Sequence, residues 1–359
     1  MHTDDGFDYD VAVVGGGPAG LTSALYATRL GLDTLVVDRG GGRAAMMQDT
    51  HNVIGVTEDV SGNEFLETAR EQVEGYGGTY ERGFVEAVEP VGAVPDDGFD
   101  VVTVKETYRV CRVVLATGFA DERPDPPLPR TGTGLHYCLH CDAFMFVDEP
   151  VYVMGTNDVA AYVAMIMLNY TDDVDLLTRS EEPTWSDETA TLLSNHPVDV
   201  VTTDVVGTNT GEDGWLESLE FADGEVREYR GGFAMYGSNY HADLADSLGL
   251  ERTEEGTVAV DDHGRTSMEG VYAVGDLTPG HNQIPIAMGQ GAKAGIALSK
   301  ELRAFPRSLE EVDAEGPVTA ADAPAISREL LETAISHEGH AGGPREDVEV
   351  GDSEAAADD

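Results

Sequence analysis

The residues best equipped for chemistry lie in one stretch, His136-Tyr137-Cys138-Leu139-His140-Cys141-Asp142. Cys138 and Cys141 form a Cys-x-x-Cys pair, a spacing at which two thiols can cycle between dithiol and disulfide, the first activated by its neighbours or by a helix N-terminus. Asp142, directly after the second thiol, can supply or take the proton that exchange requires. His136 or His140 can tune the thiolate, because imidazole titrates in the right range. The competing reading is half of a zinc site completed by one of these histidines. Structural zinc takes four ligands, usually from two such knuckles, and the third cysteine of the chain, Cys111, sits in an apolar run where it reads as a small core hydrophobe. A redox pair needs an electron source, and the flanking segments read as the housing for one.

Tyr9-Asp10-Val11-Ala12-Val13-Val14 is an apolar strand running into Gly15-Gly16-Gly17-Pro18-Ala19-Gly20, after which residues 21–30 follow a helical pattern. In this strand, G-x-G-x-x-G, helix arrangement Gly15 serves the turn, Gly17 the close approach of a pyrophosphate and Gly20 the packing of helix on strand. The pyrophosphate belongs at the helix N-terminus, where free N–H groups and the dipole favour anions. A second strand, residues 34–37, ends at Asp38, placed about 20 residues on to bind ribose hydroxyls. A glycine loop with Arg43, then Asn52, a helix around residues 62–74 and strands at 84–88, 99–104 and 108–115 follow, the last ending in Ala116-Thr117-Gly118. Residues 121–130 are proline-rich and read as a stiff linker.

Beyond the cysteine pair a second strand–turn–helix begins: a strand at residues 150–154, the loop Gly155-Thr156-Asn157-Asp158-Val159-Ala160, a helix to about residue 169 and a strand at residues 174–179. Asn157 and Ala160 occupy the second and third glycine positions. Alanine is accepted at the third, whereas asparagine at the second would crowd a pyrophosphate, so a βαβ fold without nucleotide stands beside the nucleotide-binding reading. Strands are expected at residues 198–206, 215–221 and 232–236. Val271-Tyr272-Ala273-Val274 ends in Gly275-Asp276, and residues 283–295 form a helix whose glycines and alanines would let a backbone approach a flat ring. A terminal helix is expected at 325–337, and the Gly/Ala/Asp/Glu-rich residues 341–359 have the composition of disorder.

The 359 residues suffice for about two domains. Twenty-one basic against 68 acidic residues leave a formal charge of −47, which repels nucleic acid and anionic membranes and excludes both as partners. Such self-repulsion is tolerated where salt screens it, the composition of a halophile's protein. Residues 1–10 lack an apolar targeting segment, and no apolar run reaches the ~18 residues of a membrane span, so a cytoplasmic location is expected.

Taken together these motifs resemble the low-molecular-weight thioredoxin reductases, FAD-dependent members of the pyridine nucleotide-disulfide oxidoreductases. Gly15 to Gly20, Ala116-Thr117-Gly118 and Gly275-Asp276 are similar to the family's three FAD motifs, and Cys138 to Asp142 to its redox motif, over about residues 8–300. The resemblance implies an α/β fold of two Rossmann-like dinucleotide-binding domains (three-layer ββα), the second inserted in the first. It implies a discontinuous FAD domain (1–118 and 246–300), an NAD(P)-type domain with the cysteine pair (119–245), a partly helical, then disordered acidic tail (301–359), and a homodimer. FAD would be held by Gly15, Gly17, Pro18, Ala19, Gly20, Asp38, Arg43, Asn52, Val85, Ala116, Thr117 and Gly118. Gly275 and Asp276 would join them at its ribityl or phosphate region, with Gln283, Ile284 and Ala287 near the ring. Cys141 would face the flavin, Cys138 would attack the partner disulfide, and Asp142, beside His140, would donate the proton.

Electrons then pass through FAD and Cys138–Cys141 to a thioredoxin-like protein or a small disulfide. Gly155, Asn157, Asp158 and Arg179 would hold NADPH or NADH. The family's Gly-x-Gly-x-x-Ala loop is interrupted by Asn157, and of its His-Arg-Arg cluster only Arg179 is present. The alternatives are therefore a reductase fed by ferredoxin or another flavin, or a gliotoxin-type dithiol oxidase that uses oxygen, which Leu139-His140 between the cysteines resembles. Connections at 121–130 and 240–245 would be hinges.

Overall fold

The structure is a computed structural model that describes residues 6–125, 128, 131–323 and 328–336. The linker residues Pro126, Pro127, Pro129 and Arg130, both ends of the expected 325–337 helix and the acidic residues 341–359 lie outside the described residues.

The chain opens with β1 (Tyr9–Val14), α1 (Pro18–Arg29), β2 (Thr34–Asp38), α2 (Gly62–Gly75), β3 (Thr79–Arg82), β4 (Val85–Pro90), β5 (Phe99–Thr103), β6 (Thr107–Leu115) and β7 (Phe119–Asp121). It continues with β8 (Leu135–His136), α3 (Leu139–Asp142), β9 (Val151–Met154), α4 (Asp158–Met167), β10 (Val174–Leu177), α5 (Asp187–Ser194), β11 (Asp199–Val201), β12 (Val205–Thr210), β13 (Leu216–Phe221), β14 (Val226–Glu228), β15 (Gly231–Ala234) and β16 (Ser238–Tyr240). The last elements are α6 (Asp243–Ser247), β17 (Val271–Ala273), α7 (Ile284–Leu302), α8 (Leu309–Glu315) and α9 (Arg328–Ser336). They divide into two compact units, one from the described parts of Met1–Met46, Gly62–Phe119 and Tyr240–Asp359, the other from Met47–Ser61 and Ala120–Asn239. Each is an α/β, Rossmann-like unit, and the second is inserted in the sequence of the first.

The first unit is built on a sheet in the order β3-β2-β1-β6-β5-β4, with β17 also on β6. β6 is long enough to serve two neighbours on one edge: Thr107 to Val110 pair antiparallel with β5, while Val113 to Leu115 pair in parallel with β17. Residues Val11 to Val14 are all buried, as expected of a parallel strand covered on both faces. Their alternation splits them between two cores: Val11 and Val13 pack with α1 and α7, and Ala12 and Val14 with Leu248, Leu250 and Val258.

The glycines of α7 serve this packing. A Cβ on Gly291 would overlap the Ala19 carbonyl oxygen, and one on Gly295 would come within 2.7 Å of the Ser23 oxygen. The expectation that these small residues accommodate a flat ring is therefore corrected at both: they let α7 cross α1 backbone to backbone.

The second unit has a parallel sheet in the order β11-β10-β9-β15-β8 and an antiparallel β12-β13-β14 meander. Val151 and Val153 of β9 pack on the α4 side, and Tyr152 and Met154 on the meander side with Leu216, Leu219 and Phe221. The layers are meander, sheet and helix. The single strand expected over 198–206 is two strands in different sheets, because β11 ends at Val201 and the chain turns before Val205 enters the meander core. The short β8 and β14 and helix α5 carried no apolar run long enough to be expected, although Ser186 caps α5 by accepting from the Thr189 N–H.

Candidate functional site

At the end of β1, Gly15 has φ 110°, and both it and Gly20 leave no room for a Cβ, against the Ala116 carbonyl and the Gly15 carbonyl respectively. Gly17 differs. It is the N-cap of α1 at φ −80° and ψ −179°, which any residue adopts, and no atom lies within 4 Å of where its Cβ would be. Pro18 begins the helix, no side chain caps it, and no acid stands in its first turn. An uncapped N-terminus of a 12-residue helix with open space before it suits a pyrophosphate.

Asp38, ending β2, lies beside Gly16, whose Cβ would be 2.9 Å from Oδ2. The Tyr80 hydroxyl donates to that oxygen at 2.8 Å. Burial first, then this bond, push the Tyr80 phenol up to about 12, so it remains a donor and orients the carboxylate. Ala116 donates its N–H to Val14, and the Thr117 hydroxyl donates to the His241 carbonyl at 2.6 Å while the His241 N–H donates to Gly118. Gly275 has φ 72°, donates its N–H to Gln290 Oε1 at 2.8 Å, and would place a Cβ 2.7 Å from that of Ala19. Asp276 follows in a single 3-10 turn, half-buried, and Gln283 and Ile284 begin α7 with Ala287 buried behind them.

The first unit thus gathers Gly15 to Gly20, Asp38, Ala116 to Gly118, Gly275 and Ala287. Arg43 places its guanidinium 4.9 Å over the Phe119 ring. Val85 is a core residue of β4, so only its backbone is available to a ligand. Asn52 belongs to the segment Met47–Ser61 that groups with the other unit.

In the second unit β8 pairs with β15, Phe233 opposite His136, which draws the His136 ring into the interior. It stacks on Trp215 at 6.0 Å and meets the edge of Phe146 at 5.3 Å. Two residues on, Cys138 caps α3, its Sγ accepting from the Cys141 N–H at 3.1 Å, and is joined to Cys141 as a disulfide. The Asp142 N–H donates to the Cys138 carbonyl, which sets the acid one helical turn from that thiol. Asp142 Oδ2 lies 2.8 Å from His136 Nδ1. Of the two histidines named from the sequence, the buried one meets the acid, and His140 is exposed. Cys111 is buried in β6. Among the described residues no three His, Cys, Asp or Glu side chains cluster as a metal site requires, and no helix is long and apolar enough to cross a membrane.

The helix α4 repeats the pattern of α1 with one change. Gly155 makes the turn at φ 147°. Asn157 caps the helix, its Oδ1 accepting from the Ala160 N–H at 2.9 Å and its Nδ2 donating to the Met235 carbonyl at 3.1 Å. Asp158 Oδ1 accepts from the Ser186 N–H and hydroxyl. Arg179, two residues beyond β10 at φ 53°, is buried and donates to the Asp125 carbonyl at 3.1 Å.

Comparison with known proteins gives a consistent picture. Residues 9–291 match the profile of the pyridine nucleotide-disulphide oxidoreductase family. The thioredoxin reductase of Peptoclostridium litorale is 30% identical over 314 residues, 81% of this chain and 96% of that one. The crystal structure of thioredoxin reductase from Streptococcus pyogenes MGAS5005 superposes with a TM-score of 0.75 at 28% identity, covering 83% of this chain and 99% of that one. The crystal structure of HlmI is similar too, with a TM-score of 0.76 at 30% identity over 88% of this chain and 96% of that one.

Proposed function

We infer that this chain, which belongs to the pyridine nucleotide-disulphide oxidoreductase family, is a thioredoxin reductase-type enzyme that carries electrons from NADPH through FAD and Cys138–Cys141 to the disulfide of a thioredoxin-like protein. The observation that carries the reading is the Cys138–Cys141 disulfide with Asp142 one helical turn away, in a chain that relatives named thioredoxin reductase match over 81% of its length or more.

The open, uncapped start of α1 with Asp38 beside it fits FAD. Gly15, Gly17, Pro18, Ala19 and Gly20 would hold the pyrophosphate, Asp38 the ribose, and Ala116 to Gly118, Asp276, Gln283, Ile284 and Ala287 the remainder. The chemistry FAD would supply there is two-electron transfer between the nicotinamide and the disulfide. Residues 1–118 and 246–300 would be its domain. Residues 119–245 would receive NADPH at the Gly155 turn, where Asn157 must release the Ala160 N–H before a phosphate can take it.

The chain's own residues then perform the exchange. The Cys138 thiolate attacks one sulfur of the partner disulfide, forming a bond to it as the partner's S–S bond breaks, and the leaving thiolate takes a proton from Asp142. The Cys141 thiolate attacks Cys138 Sγ, which restores the internal disulfide and releases the second partner thiolate to be protonated by water. Two electrons have moved to the partner.

Replacing Cys138 by Ser tests this, because no mixed disulfide can then form. NADPH-dependent reduction of a thioredoxin disulfide is expected to fall by ~10³-fold or more, as losses of a nucleophile do. Turnover at the wild-type rate would defeat the reading. The charge of −47 supports a salt-rich setting and speaks against a nucleic-acid or membrane partner, and the resemblance to thioredoxin reductases implies a homodimer.

A further inference from the structure

We propose that His136 is a positioning residue for the exchange: its Nδ1–H grips Asp142 by Oδ2, so that the other carboxylate oxygen is aimed at the thiols and carries the proton. The inference rests on the reading of Cys138, Cys141 and Asp142 as the exchange centre. His136 is 4% exposed as a side chain and Asp142 is 20% exposed, so the imidazole is sealed while the acid still reaches solvent. Phe146, Trp215 and Phe233 enclose the ring, and its Nε2 is buried with no hydrogen-bond partner.

These contacts select the tautomer. A proton on Nε2 would be an N–H buried among aromatic rings with no acceptor. A proton on Nδ1 instead faces a carboxylate at 2.8 Å and makes a charge-assisted bond. The ring therefore donates to Asp142 from Nδ1 and leaves Nε2 bare. His136 is fixed by the β8–β15 pairing opposite Phe233, and Asp142 by its N–H bond to Cys138. The grip thus joins the sheet to the turn that carries the nucleophile, and removes freedom from an acid whose direction matters. His140, next to Cys141, is exposed.

The test uses the full-length holoenzyme in four variants: His136→Asn, His136→Leu, Asp142→Asn and the double variant His136→Leu/Asp142→Asn. Asparagine keeps an N–H near the Nδ1 position, whereas leucine fills the pocket without one. The expected result is kcat for thioredoxin-disulfide reduction within about 3-fold of wild type for His136→Asn and about 10- to 100-fold lower for His136→Leu, with KM for the disulfide and flavin reduction by NADPH unchanged. In the Asp142→Asn background the leucine change should cost nothing further. Equal losses in both backgrounds, or a leucine variant as fast as wild type, would overturn the proposal. Nitrogen NMR of wild-type His136 supplies a check that survives misfolding of any variant: a protonated Nδ1 and a bare Nε2 support it, and the opposite tautomer overturns it. If Asp142→Asn alone leaves turnover intact, the reading of the exchange centre fails; if Asp142 matters and His136 does not, only this inference fails.

Discussion

Gly17 has a backbone conformation open to any residue and no neighbour that a side chain would strike, so nothing in the polypeptide requires it to be glycine. On the proposed reading, the requirement comes from a pyrophosphate in front of α1. Aspartate at this position separates the two demands, because it is a strong N-cap that also complements the helix dipole. Gly17→Asp should therefore leave the flavin-free protein as stable as wild type, or more so by up to ~1 kcal/mol, while abolishing bound FAD by bulk and charge. Flavin absorbance per protein, set beside the melting temperature of the flavin-free form, checks it; a variant that keeps its flavin would remove Gly17 from the cofactor site. At this scale the sequence was legible where a residue type has a single use: Gly15 makes the turn and Gly20 the close packing that their spacing implies. His136 and His140 were indistinguishable from sequence, because burial by a two-residue strand, β8, leaves no periodic signature.

Among the elements, the crossing of α7 over α1 depends on Gly291 and Gly295 having no side chains. Gly291→Ala would drive a methyl into the Ala19 carbonyl. We expect a loss of about 1–3 kcal/mol from overpacking, read as a lower denaturant midpoint with an unchanged slope. Because Ala19 sits in the first turn of α1, flavin affinity should fall as well. A variant of wild-type stability would show that the helices have slack here. The small-residue pattern of α7 was plain in the sequence, but a glycine stripe serves a helix crossing and a ring contact equally well. The strand–turn–helix openings at β1 and β9 were legible because apolar runs, glycine turn and helical period agree over a dozen residues or more. The break between β11 and β12 was not, since the β-branched residues Val200, Val201, Thr202, Thr203, Val205 and Val206 read as one strand while the chain passes from one sheet to another.

For the whole molecule, 68 acidic against 21 basic side chains set a field that salt must screen. At 1 M salt the screening length is only ~3 Å, against ~10 Å at 0.1 M. Acid pairs such as Asp173 with Asp175, where burial and then the neighbouring carboxylates push Asp173 upward, should be relieved in concentrated KCl. The melting temperature is accordingly expected to rise by several degrees between 0.1 and 2 M KCl, about 1 kcal/mol or more in a protein of this size. A flat or falling curve would remove the salt-rich setting from the account. The order of the motifs along the chain, with the cysteine pair between the second and third FAD motifs, made the whole-chain reading possible before any contact was visible.

The most direct test of the central claim is an anaerobic titration of the holoenzyme in molar KCl, with NADPH added first and oxidised thioredoxin second, while the flavin band and partner thiols are followed. Bleaching by NADPH is expected, then return of the band with two partner thiols formed per flavin. No bleaching by NADPH, or a bleached flavin that thioredoxin leaves unchanged, would contradict it.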